Sequence, residues 1–144
     1  MKKYLLYLDD VRIPTQPGWI LVTNYDEFVD KVNEIGLANF NLISLDHDLG
    51  QSAMTEWFRA THHEKDNVIK YENISEKTGM DCAKFLVELS MDTNTPLPPI
   101  VVHSANNVGS ENIMELINNY LNFCGLPMTC RRVSIEHTIY NGED

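Results

Sequence analysis

The sequence predicts a single α/β domain built around a parallel sheet, and three observations lead there. Short apolar runs alternate along the chain with amphipathic helical stretches, as in βαβ folds. The runs are continuous rather than alternating, which is how strands covered on both faces read. Polar, chemistry-bearing residues follow directly after three of them.

The predicted strands are Tyr4–Leu8, Trp19–Val22, 41–45 and 99–102, with a weaker fifth over 130–135. The first predicted helix, 26–35, carries Phe28, Val29, Val32 and Ile35 on one face, and Asn24 with Glu27 forms a capping signal before it. A second, 79–89, carries Cys82, Ala83, Leu86 and Leu89, with Thr78 and Asp81 spaced as a capping box. A third, 110–122, opens at Ser110 as its cap and is stopped by Gly125 and Pro127. Two connections are irregular. Residues 10–18, with Pro14 and Pro17, are too short and Pro-rich for a crossover helix, so the first such helix is expected to be missing. Residues of about 50–77 form a long insertion in one domain spanning 1–144. It reads either as a functional lid or as a surface excursion with a short helix over 54–61.

Composition narrows the function classes. With 43% hydrophobic residues in 144, one sizeable core needs no disulfide or metal staple. No run approaches a membrane span and no secretory leader is visible, so a cytoplasmic protein is expected, with Cys82, Cys124 and Cys130 as reduced thiols. A net charge of −10 argues against broad nucleic-acid binding, though not against a small anion held through a metal.

The candidate site gathers residues at strand ends. Asp9, Asp10 and Arg12 follow the first strand, Asp46, His47 and Asp48 the third, and His103, Ser104, Ala105 and Asn106 the fourth. Ligands of open α/β sheets bind at such carboxyl ends, where the strand order reverses. Three carboxylates together repel one another unless a cation offsets them. Oxygen donors suit a hard divalent metal, Mg²⁺ or Mn²⁺ above all, so Asp9, Asp10 and Asp46 are the candidate ligands. His47 and His103 are suited to moving protons near neutral pH, with Asp48 placed to orient a histidine. Arg12, Ser104 and Asn106 can donate to a phosphate, and the backbone N–H groups near Gly109 and Ser110 add to that. His62-His63-Glu64 lacks the spacing that puts two ligands on one helical face and reads as solvated loop.

This arrangement resembles response-regulator receiver domains, with Asp9-Asp10 after strand one, Asp46 after strand three and Ser104-Ala105 after strand four. It departs from them in lacking the lysine after strand five, where only Arg131-Arg132 occurs, and in the residues that follow Asp46. Those additions are similar to the cyclic-phosphate-processing receiver-like family. The matching blocks are Leu8-Asp9-Asp10-Val11-Arg12-Ile13-Pro14, Asp46-His47-Asp48-Leu49-Gly50, Thr78-Gly79-Met80-Asp81 and His103-Ser104-Ala105-Asn106. The resemblance implies a receiver/flavodoxin-like three-layer sandwich with a five-stranded sheet of order 2-1-3-4-5. It also implies a role on cyclic nucleotides or cyclic-phosphate ends, in RNA repair or phage–host conflict.

Residues and resemblance together lead to a metal-assisted phosphoesterase acting on a cyclic phosphate, its partner a small cyclic nucleotide or a short RNA end. The alternative is a receiver-derived module that binds a phosphorylated nucleotide without turnover. A phosphoacceptor role for Asp46 is disfavoured by the added His47-Asp48 and by the absent lysine.

Overall fold

The computed structural model describes residues 3–134 and the backbone of 138–140. The strands are β1 (Tyr4–Leu8), β2 (Arg12–Pro14), β3 (Trp19–Val22), β4 (Phe40–Leu45), β5 (Ile100–Val102), β6 (Arg131–Arg132) and β7 (Thr138–Tyr140). Five of them form one parallel sheet in the order β3-β1-β4-β5-β6, a receiver/flavodoxin-like arrangement. Counted within that sheet alone the order is 2-1-3-4-5, and the short β2 shifts the labels. It was not expected: it occupies the helix-less first crossover and pairs antiparallel with β7 in a separate two-stranded sheet. The fifth strand of the main sheet is shorter than predicted. Its pairing continues through the Val133 amide to the Val102 carbonyl at 2.7 Å, and Ile135 lies outside the described residues.

The helices are α1 (Tyr25–Ile35), α2 (Gln51–Phe58), α3 (Gly79–Thr93) and α4 (Asn107–Phe123). Asn24 caps α1 by accepting from the Glu27 amide, and Thr78 with Asp81 closes a complete capping box on α3. Helix α3 continues past Leu89 until Asn94 takes a left-handed conformation (φ 51°). Helix α4 starts earlier than its apolar period suggested. Asn106, not Ser110, is its cap, because the Asn106 side chain already accepts from the Gly109 amide. The insertion holds α2, a single π turn over Arg59–His63 and a 3₁₀ turn over Tyr71–Asn73.

Strand pleating sorts the sheet residues into two sets. Leu6, Leu8, Val22, Ile43, Leu45, Ile100 and Val102 lie in the core with Phe28, Val32, Cys82, Ala83, Leu86, Ile113 and Ile117 of the helices. Helix α3 touches both α1 and α4, so these three form one layer over that face. The register Tyr7–Ser44–Val101 marks the opposite face. Among the described residues, no helix is long and apolar enough to cross a membrane.

Candidate active site

The order reverses between β1 and β4, with β3 on one side and β5 and β6 on the other, so the crevice lies at the ends of these two strands. The ladder runs one step past each strand. The Asp46 amide donates to the Leu8 carbonyl (3.0 Å), the His103 amide to Leu45 (2.9 Å) and the Asp9 amide to Val22 (3.0 Å). Asp9, Asp46 and His103 therefore stand side by side, each two residues beyond Tyr7, Ser44 and Val101. All three point to the face away from the helical core. His47, the residue after Asp46, follows the opposite sense and meets Gly109 of α4.

The first half of the site is a relay. Ser44 Oγ lies 2.7 Å from His103 Nδ1, and His103 Nε2 lies 3.0 Å from Asp9 Oδ2. The acceptor-only carboxylate sets the tautomer: Nε2 carries the proton and Nδ1 accepts from the serine. Tyr7 stacks on the imidazole at 4.2 Å between ring centroids, almost parallel. Burial alone would raise the Asp9 pKa. The His103 bond and the Val11 and Arg12 amides, each 2.9 Å away, outweigh it and hold Asp9 below its ordinary value. Burial lowers the His103 pKa despite Asp9. Burial and the Asp9 charge together push Asp46 well up, although Ser104 and the His47 amide favour its charged form. Arg12 sits 3.8 Å from Asp9.

One ligand atom each from Asp9, Asp46 and His103 lies within 4.8 Å of the others, a donor set suited to a divalent cation. Two buried carboxylates, one of them driven toward its neutral form, are what such an ion would relieve. The fit differs from three aspartates. Asp10 is outside this cluster; burial and the Asp9 charge raise its pKa, and a nitrogen donor stands in the third place.

The second half is built around His47, which is fully buried. Its Nδ1 is 2.6 Å from Asp48 Oδ1 and its Nε2 is 2.9 Å from the Tyr71 hydroxyl. Asn112 donates to that hydroxyl at 3.1 Å. Asn106 donates to Asp48 at 3.1 Å while its Oδ1 accepts from the Gly109 amide, so it is a strut between β4 and α4 rather than an open donor. The Gly109 and Ser110 amides, expected to face an anion, are taken by Asn106. A Cβ at Gly109 would stand 2.5 Å from the imidazole, and one at Gly79 only 1.7 Å from the Asp46 carbonyl oxygen. Both glycines are close-approach positions.

Sequence reading missed Ser44 and Tyr71. Ser44 left a signal, a polar residue inside the apolar run 42–45. Tyr71 left none, because the insertion has no period. At the end of the sheet, Arg132 donates to the Ser104 carbonyl at 2.9 Å, so this basic residue braces a loop. A larger cleft of about 650 Å³, lined by Glu56, Arg59 and Glu76, belongs to the insertion and holds none of these residues.

The family model of the cyclic-phosphate processing receiver domain matches residues 4–119, and the chain belongs to that family. No curated protein matches, and no solved structure does.

Proposed function

We propose that this member of the cyclic-phosphate processing receiver family hydrolyses a cyclic phosphodiester of a nucleotide, with a divalent cation at Asp9 and Asp46. The observation that carries the reading is the Ser44–His103–Asp9 relay beside a second buried carboxylate. A structural role alone explains poorly why two carboxylates and an imidazole share the switch point of the sheet.

In the proposed reaction, a water oxygen bonds to phosphorus and one ring P–O ester bond breaks. The water loses a proton, and the departing ring oxygen gains one. His103, in its doubly protonated form with Nδ1–H on Ser44 and Asp9 stabilising the charge, gives its Nε2 proton to the departing oxygen. His47, oriented at Nδ1 by Asp48, exchanges the other at Nε2, where the Tyr71 hydroxyl now sits. Arg12 and Ser104 contact phosphate oxygens. Asn106 acts by positioning His47 and Asp48. Mg²⁺ or Mn²⁺, when bound, offsets the carboxylate charge and polarises the phosphoryl group. Asp9 and Asp46 would hold the ion, His103 stays with Asp9 as the proton carrier, and Asp10 lies outside the set.

A second reading, a module that binds a cyclic nucleotide or RNA end unchanged, draws on a specific observation. All four ring nitrogens of His47 and His103 are already engaged within the protein. One experiment separates the two: incubation with 2′,3′-cyclic and 3′,5′-cyclic nucleotides and with RNAs bearing a cyclic-phosphate end, with Mg²⁺ or Mn²⁺. A ring-opened phosphomonoester supports hydrolysis. Retained but unchanged ligand supports the binding module, and neither outcome across the panel removes both.

A further inference from the structure

The sheet face opposite the helical core carries a cavity of about 290 Å³, close to the lower bound for small-ligand sites. Tyr7, Trp19, Leu42 and Val101 form its apolar wall, and Gln16 and Arg131 add polar groups. Tyr7 and Trp19 meet edge to face, with ring centroids 5.4 Å apart. His103 and Ser44 line the same cavity, so it opens onto the relay rather than lying elsewhere on the molecule. A second observation is independent of the cavity's shape. The Tyr7 hydroxyl is buried and has no hydrogen-bond partner among the described residues. An orphaned hydroxyl of this kind is unusual, and it is available to a ligand's polar group.

We propose that this cavity receives the nucleobase and ribose of the nucleotide whose cyclic phosphate lies at His103 and Asp9. The assignment rests on the cyclic-phosphate reading above and narrows it. Aromatic rings with polar groups beside them match a flat heteroaromatic ring with hydrogen-bonding edges. The volume admits one nucleoside and no folded partner. A neutral base also escapes the repulsion that a chain of net charge −10 exerts on longer polyanions.

The test uses the full chain and two kinds of probe. Phosphate-free uridine and adenosine are titrated against ¹⁵N-labelled protein, and shifts are expected at the Tyr7 and Val101 amides and at the Trp19 indole. Turnover of uridine 2′,3′-cyclic phosphate is then compared with that of base-free glycerol 1,2-cyclic phosphate. In Trp19→Ala, and in Leu42→Trp, which fills the cavity, the preference for the uridine substrate falls about tenfold. Nucleosides that leave those signals unmoved, or an unchanged preference in variants that melt as the parent does, overturn the assignment. Nucleoside shifts in a protein that turns over neither substrate keep the cavity assignment and remove the phosphoesterase reading.

Discussion

His103 donates from Nε2 to the Asp9 carboxylate at 3.0 Å, although 94 residues separate them. The two are brought together by β1 and β5, which flank β4 on either side. Ser44 lies on that central strand and bonds the other ring nitrogen, so three adjacent strands fix one imidazole in position and tautomer. Each group is almost fully buried, and a bonded buried network of this kind is expensive to break from either end.

The first prediction concerns that network. His103→Gln removes the proton carrier and lowers kcat on a cyclic nucleotide by roughly 10²–10⁴. Ser44→Ala leaves the imidazole in place with its tautomer still set by Asp9 but removes the hydrogen bond at Nδ1, so its loss is smaller, about tenfold. Steady-state kinetics with a circular-dichroism check on folding measures both. Equal losses in the two variants would mean that Ser44 does more than position the ring.

Asp9 and Asp46 lead to a prediction about metal. If they hold a divalent cation, Mn²⁺ raises the melting temperature of the parent protein, because an ion that binds only the folded state stabilises it by mass action. A concentration a hundred times the dissociation constant contributes about 2.7 kcal/mol. Asp46→Asn keeps the shape but loses the shift, whereas Asp10→Asn, outside the donor cluster, retains most of it. Calorimetric titration with Mn²⁺ checks the same order of affinities, and equal losses in the two variants would return Asp10 to the ligand set.

Much of this was legible in the sequence, for particular physical reasons. Tyr4–Leu8 and Trp19–Val22 are strands as read, since their uninterrupted apolar runs leave few alternatives. The site residues at the three strand ends were also legible as a set. Their division was not drawn. Asp46 and His47 are neighbours in sequence, so a pleated strand end sends them to opposite faces, one to His103 and the other to Gly109. The start of α4 was misjudged because Asn107, Val108 and Gly109 offer little helical period, and only the geometry of Asn106 as a cap reveals it. Tyr71 was invisible for a different reason: its place depends on how the insertion folds back, which no local pattern encodes.

That folding back depends on Glu56, and it carries a pH signature. Glu56 is buried and accepts from Arg59, from the Lys70 amide and from Asn73, which anchors the turn bearing Tyr71. The Arg59 bonds, acting against burial, hold its pKa down at about 2. A depressed carboxyl stabilises the fold above its unfolded value near 4.5, and that contribution is lost as pH falls toward about 2. Allowing for solvent screening around Arg59, the effect is on the order of 1–3 kcal/mol. Chemical denaturation of the parent between pH 6 and pH 3 should show this loss, and Glu56→Gln should be less stable at pH 7 with a flatter profile. A slope unchanged by the substitution would place the acid sensitivity elsewhere.

The last prediction separates space from chemistry at His47. Gly109→Ala puts a methyl group 2.5 Å from the ring, and the ring is held between Asp48 and Tyr71, so neither neighbour yields easily. Overpacking of this sort costs about 1–3 kcal/mol. It should displace the imidazole and lower both stability and turnover. Tyr71→Phe keeps the packing but removes the hydroxyl at 2.9 Å, so it should lower kcat roughly tenfold with little change in melting temperature. Gly79→Ala is the harsher control. Its methyl would meet the Asp46 carbonyl oxygen, which is backbone and cannot swing away, so a large stability loss follows before any effect on chemistry. Thermal melts read beside kcat distinguish these patterns. If Tyr71→Phe keeps full turnover, the hydroxyl merely covers His47 Nε2 and takes no part in the exchange of the second proton.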